Sequence, residues 1–125
     1  MPMMVIELPL PPRSLHPNSS VSWKAKIKPK REYRKAAYLS TMEEIAKHKT
    51  LDGGLMGLPA KQATITPIFT HRVKRNRDRD NSLAWLKNGF DGVADAMMMN
   101  DHRFSYTSVE YVKGKEDRVH LKVSW

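Results

Sequence analysis

The chain has no cysteine, which excludes disulfides and thiolate metal sites and is compatible with a reducing compartment. It has no apolar run approaching the length that spans a bilayer. The N-terminus shows a short apolar stretch but neither a basic leader nor an adequate hydrophobic segment, so no signal peptide is expected and the cytoplasm is the default location. Several chemical signatures are also missing: a Gly-rich phosphate loop, Gly-x-Ser-x-Gly, His-Glu-x-x-His, and paired His/Cys zinc spacing. His16, His48, His71, His102 and His120 are scattered, and surface positions are expected for them rather than ligand roles. No internal repeat is visible. Acids are scarce: 13 Asp and Glu stand against 22 Lys and Arg, a net charge of +9 that repels itself unless an anionic partner is present. Nucleic acid is the commonest such partner.

What is there amounts to one domain. A length of 125 residues supports a single core, and an apolar share of 40% with three Trp and four Tyr fits a globular fold rather than a disordered chain. Met3 to Leu10 is strand-like and ends at a proline break. The basic stretch 13–35 begins as a Ser/Pro/Asn-rich loop. From Trp23 to Lys30 it alternates, which in extended chain puts Lys24, Lys26, Lys28 and Lys30 on one face. Trp23 and Tyr33 bracket these lysines. That pattern suits base stacking with phosphate contact, or else a solvated basic loop. Arg31 to Lys49 has helical spacing, with Ala37, Thr41 and Ile45 on one line and Tyr38, Met42 and Ala46 beside them. Its cations come early and Glu43-Glu44 late, the reverse of what the helix dipole prefers, which suggests that the early cations serve a ligand. Asp52-Gly53-Gly54 is expected to turn. Lys61 to Arg72 reads as a strand, placed at an edge or bulged because Pro67 cannot donate to a ladder. Asn81 to Met98 reads as a second helix with Leu83, Leu86, Phe90, Val93, Ala94 and Met97 as its apolar stripe and Asp80 as N-cap. Gly89 within it implies a close neighbour, and Met97-Met98-Met99 reads as core or subunit contact. Phe104 to Lys113 and Arg118 to Trp125 read as a closing β-hairpin. The expected order is β-α-β-α-β-β, an α+β fold with a mixed sheet packed against two helices.

The chemistry centres on the strand-to-helix junction, His71-Arg-Val-Lys-Arg-Asn-Arg-Asp78-Arg79-Asp80-Asn81. Asp78 and Asp80 leave the same side of an extended chain, and two adjacent anions call for a cation between them. A neighbouring arginine with a helix cap would satisfy them. So would Mg²⁺, which prefers hard oxygen ligands. Lys87 lies on the same helix face as Asp80, Asp91 and Asp95. An ordinary i,i+4 pair with Asp91 accounts for it unless it serves the acids. Asp101 follows the helix, which is about 25 Å long, so it reaches the first pair only if its loop folds back or a second subunit supplies it. Converged, these groups would carry out metal-assisted phosphodiester hydrolysis. The basic residues Lys24, Lys26, Lys28, Lys30, Arg31, Arg34, Lys74, Arg75, Arg77 and Arg79 would hold DNA by its phosphates. A non-catalytic binder of branched or double-stranded DNA, with the aspartates as cap and ion pairs, is the competing reading. A basic protein that binds RNA or a protein partner is the third.

The segments Arg77-Asp78-Arg79-Asp80-Asn81, Lys87, Phe90-Asp91-Gly92-Val93-Ala94-Asp95-Ala96 and Asn100-Asp101 resemble the RusA-like family of Holliday junction endodeoxyribonucleases of bacteria and phages. Pro9-Leu10-Pro11-Pro12, Asn18 and Tyr33-Arg34-Lys35-Ala36-Ala37 are similar to that family's opening strand and first helix. The resemblance implies a homodimer that resolves four-way junctions with Mg²⁺. It further implies catalytic, metal-holding aspartates at Asp78, Asp80 and Asp101 and a catalytic lysine at Lys87. Two positions depart from the founding members: Lys87 lies one helical turn further from the Asp pair, and Asn100 stands where they carry another acid.

Overall fold

Strand β1, Met3–Pro9, alternates as its sequence does: Met4, Ile6 and Leu8 are buried, while Met3, Val5 and Glu7 face out. It pairs antiparallel with the last strand, β5 (Arg118–Ser124), which pairs antiparallel with β2 (Ala63–His71) on its other side. Two short strands, β3 (Phe104–Tyr106) and β4 (Glu110–Lys113), lie end to end along the far side of β2 and run parallel to it. The computed structural model describes residues 2–48, 58–73 and 79–125. The Asp52-Gly53-Gly54 turn, Lys74, Arg75, Arg77 and Asp78 fall outside the described residues. The inward rows of the sheet pack against α1 (Trp23–Lys47) and α3 (Lys87–Met97), with the short α2 (Arg79–Trp85) leading into α3. This is an α+β architecture with a mixed sheet. No helix among the described residues is long and apolar enough to cross a membrane.

Several expectations are corrected. The first concerns Trp23 to Lys30, which is helix rather than loop or extended chain and is continuous with the residues that follow. Ser22 opens it, its hydroxyl accepting from the Ala25 N–H at 3.4 Å. Lys, Ala, Arg and Glu are good helix formers, and alternation of charge without an alternating buried face carries no strand signal. Pro29 sits inside this helix, where it leaves the Ala25 carbonyl without its usual donor. Tyr33 is not a stacking platform: it is buried, with its hydroxyl donating to the Pro9 carbonyl at 2.7 Å.

The second correction places β2 in the sheet interior. The carbonyls of Ile65 and His71 accept from Thr107 and Gly114 on the β3/β4 side, so odd-numbered residues of β2 direct their backbone groups there. Pro67 therefore turns its missing N–H toward the gap between β3, whose pairing ends at Ile65, and β4, whose pairing begins at Ile68. The broken neighbour accommodates the proline, and no edge is needed.

The third correction removes the closing hairpin. Gly114 donates to the His71 carbonyl and the Asp117 carboxylate accepts from the Arg72 N–H, so the 114–117 connection rounds the end of β2. The chain thus delivers β5 to the opposite side of β2 from β4. The buried row Val119, Leu121 and Val123 explains why β5 takes a position with neighbours on both sides.

The fourth correction divides the second helix. Leu86 interrupts it, its N–H shared between the carbonyls of Ser82 and Leu83 at 3.2 Å each, and the α-helical pattern resumes with Phe90 donating to Leu86. Among the described residues three α-helices result instead of two. Since α2 already includes Arg79, Asp80 lies in its first turn and is not its cap. The expected apolar stripe is otherwise present, with Leu86, Phe90, Val93, Ala94 and Met97 buried. His71 is buried too, stacked on Phe69, against the surface position expected for it.

Tyr33 gives a direct test of how α1 is tied to the sheet. Tyr33→Phe keeps the ring but removes the donor to Pro9, and is expected to lower unfolding free energy by about 0.5–1.5 kcal/mol. Urea denaturation of the two proteins measures it.

Candidate active site

Helix α3 ends at Met97, and its C-cap, Met98, adopts the left-handed conformation with φ 58°. The N–H groups of Met98 and Met99 close back onto Asp95 and Ala94, at 3.3 and 3.1 Å, satisfying carbonyls at the helix end. This reverses the chain. Asn100 then caps a 3-10 turn, its side-chain oxygen accepting from the His102 N–H at 3.2 Å, and Asp101 is the first residue of that turn. The reversal is the fold-back that the sequence left open, and it carries Asp101 alongside α3.

There Asp101 meets Lys87. The Lys87 ammonium donates to Asp101 in a very short contact and to Asp91 at 2.8 Å, so one cation holds a carboxylate from within the helix and one from beyond its C-terminus. Asp91, the ordinary pairing partner of the sequence reading, is therefore also a member of the cluster around Asp101. One turn further on, Arg34 of α1 clasps Asp95 through two hydrogen bonds, Nε to Oδ2 at 2.7 Å and Nη2 to Oδ1 at 2.9 Å. That bidentate geometry pairs the Arg34 guanidinium, a residue expected to hold phosphate, with a carboxylate. Asp91, Asp95, Asn100, Asp101 and Arg34 line one open pocket. Tyr106, tilted against Phe90 with ring centroids 4.7 Å apart, borders the cluster. Its hydroxyl is pushed up to about 12, first by burial and then by the nearby Asp101 charge.

Asp80 is not part of this grouping. Its side chain is 90% exposed and meets Arg79 at 3.5 Å, while Arg79 also donates to the Thr107 carbonyl. Seven residues of nearly continuous helix put Asp80 about 10 Å from Lys87 along the axis. Of the basic residues expected to hold DNA, Lys24, Lys28, Lys30 and Arg31 are exposed along the first half of α1 and Lys26 is half-buried. Asp95 and Tyr106 were not singled out from the sequence as members of a site. Asp95 was legible as the next position on the Lys87 line, whereas Tyr106 comes from a different strand and carried no signal.

The donor chemistry fits Mg²⁺ in kind. Asp91 and Asp101 supply hard oxygens that already converge on one cation. Among the described residues, however, no group of three Asp, Glu, His or Cys side chains is arranged to hold a metal. No protein-family model matches the chain, and no curated protein matches it.

The cluster sets a pH dependence. The Lys87 hydrogen bond holds the Asp101 carboxyl below its ordinary 3.8. Burial pulls Lys87 downward, but its hydrogen bonds to Asp101 and Asp91 outweigh this and leave it above 10.5. Asp101, being depressed, contributes stability fully above pH 3.8 and loses it as pH falls through its folded value. Lys87, being raised, contributes fully below pH 10.5 and loses it as pH rises through its folded value. The Lys87 side chain is 56% exposed, so solvent screening limits the contribution to about 0.2–1 kcal/mol. Thermal melts are expected to show a flat contribution from about pH 5 to 9, and a shallower acid limb in Asp101→Asn than in the parent.

Proposed function

We propose that this chain is a Mg²⁺-dependent, structure-selective endodeoxyribonuclease of the RusA-like kind, acting as a homodimer that resolves Holliday junctions. The observation that carries the reading is the Lys87 ammonium shared by Asp91 and Asp101 at the open margin of a protein of net charge +9. Bound Mg²⁺ would polarise the scissile phosphate and lower the pKa of the attacking water. Asp101 and Asp91 supply two carboxylate donors; the resemblance also implies Asp78 and Asp80, of which Asp80 stands apart from the Lys87 cluster, beside Arg79. Lys87 holds the two carboxylates together against their mutual repulsion. Its charge is then close to where negative charge builds on the phosphate oxygens and the leaving group. The reaction adds water across one P–O bond, and the departing sugar oxygen takes the proton. Matched nicks in two strands suit two sites related by a dyad.

One observation favours the second reading, a non-catalytic binder of branched DNA. Each of Asp91, Asp95 and Asp101 already has a cationic partner, so ion pairing alone could account for them. Incubation with a labelled synthetic four-way junction, with Mg²⁺ and with EDTA, separates the two. Paired nicks that require Mg²⁺ support the nuclease. Salt-sensitive binding with no cleavage supports the binder.

A further inference from the structure

Helix α1 contains ten residues that the core does not use. From Trp23 to Glu32 only Lys26 and Pro29 are half-buried and the rest are exposed, and burial starts at Tyr33. This segment holds Lys24, Lys26, Lys28, Lys30 and Arg31 against a single carboxylate, Glu32. At 100° per residue, Lys24, Lys28 and Arg31 form one row and Lys26 and Lys30 another. Trp23 and Ile27 lie between the rows, with exposures of 70% and 43%. Ala25, Pro29 and Glu32 lie on the reverse side.

A helix built this way works against its own stability. Lys24 with Lys28, and Lys26 with Lys30, are like charges at i,i+4. Cations crowd the positive end of the helix dipole. Pro29 removes a backbone hydrogen bond, and no buried face compensates. The single offsetting pair within the segment, Lys28 with Glu32, is at 3.9 Å with both side chains well exposed. An anionic partner of matching charge density removes each of the electrostatic penalties. Lys24 to Arg31 spans about 10 Å of helix axis, which is about one cation per 2 Å, and duplex DNA carries about one phosphate per 1.7 Å. The major groove admits an α-helix between two phosphate walls, and this segment has a cationic row for each wall with an apolar ridge between them.

We propose that Trp23–Glu32 is a helical arm that enters a groove of double-helical DNA, with Trp23 and Ile27 facing inward and the two cationic rows on the opposing phosphate walls. The proposal rests on the DNA-binding part of the reading above and is independent of its cleavage chemistry. The test measures binding to a four-way junction and to a plain duplex in EDTA between 50 and 200 mM salt. The parent is compared with a variant in which Lys24, Lys26, Lys28, Lys30 and Arg31 are all Gln, its fold checked by circular dichroism. The slope of log affinity against log salt is expected to flatten by about 3–4, and affinity at 50 mM to fall at least about tenfold. Trp23 emission is expected to quench on binding in the parent, and that quench to vanish in Trp23→Phe. An unchanged slope and affinity in a folded variant overturns the arm while leaving the DNA reading intact. A parent that binds no DNA overturns both. Variants that lose self-association but keep full DNA affinity assign the segment to a second copy of the chain and overturn the proposal.

Discussion

Asp101→Asn is expected to lower Mg²⁺-dependent junction cleavage by about 10²–10³-fold while junction binding in EDTA is kept or strengthened. The side-chain oxygen of Asn still accepts from Lys87, so the 3-10 turn and its fold-back along α3 are retained. What is lost is the negative charge, hence the hard donor for a divalent cation, and the reduced repulsion toward phosphates accounts for the direction of the binding effect. Asp91→Asn is the discriminating companion. If Asp91 shares the site through Lys87, its neutralisation costs cleavage on a similar scale. If it is an ordinary i,i+4 partner of Lys87, the cost is a few tenths of a kcal/mol of stability and no activity. Undiminished nicking by Asp101→Asn in a nuclease-free preparation would sink the assignment of the Lys87 cluster to catalysis.

That companion experiment also marks where sequence reasoning reached its limit. Periodicity located part of the pattern, because burial imposes a period that the chain displays: Ala37, Thr41 and Ile45 are buried as their spacing implies, whereas Tyr38, Met42 and Ala46 beside them are exposed, and Phe104 to Lys113 is two short strands instead of one. The two errors in the sheet have separate origins. An edge or a bulge is expected at Pro67 when a ladder is taken as continuous on both sides of it, and that fails where β3 gives way to β4 along β2. A closing hairpin is expected because adjacent strands usually pair, and that fails where the 114–117 connection rounds the end of β2. The helix over Trp23 to Lys30 was hidden because alternating lysines fit either an extended or a helical chain when no face is buried. At the site, Lys87 and Asp101 were legible as residue types and their meeting was not. It depends on Met98 taking a left-handed conformation that a sequence reader expects of glycine.

Gly92→Ala is expected to be the most damaging small substitution in the helices. Alanine normally gains up to about 1 kcal/mol over glycine within a helix. Here a Cβ would stand 2.2 Å from the Arg34 carbonyl oxygen, 2.8 Å from the Ala37 Cβ and 2.9 Å from the Tyr38 nitrogen. Two of these are backbone atoms of α1, so no change of rotamer relieves the clash and the two helices must separate. Overpacking of this kind costs about 1–3 kcal/mol or more, which in a chain of this size lowers Tm by about 5–10 °C. The consequence extends to function, because the same separation draws Arg34 away from Asp95 and loosens the helix that carries Lys87 and Asp91. Gly89→Ala is the control. Its Cβ would meet the edge of the Tyr33 ring at 3.0 Å with the next atoms at 3.6 and 3.8 Å, so a small ring shift absorbs it. The helix-propensity gain then keeps the net change within about 1 kcal/mol. Paired thermal melts and cleavage assays on the two variants read both effects. A Gly92→Ala protein that melts at or above the parent's Tm would show that α1 does not pack on α3 through Gly92. It would also remove the reason for holding Arg34 beside Asp95.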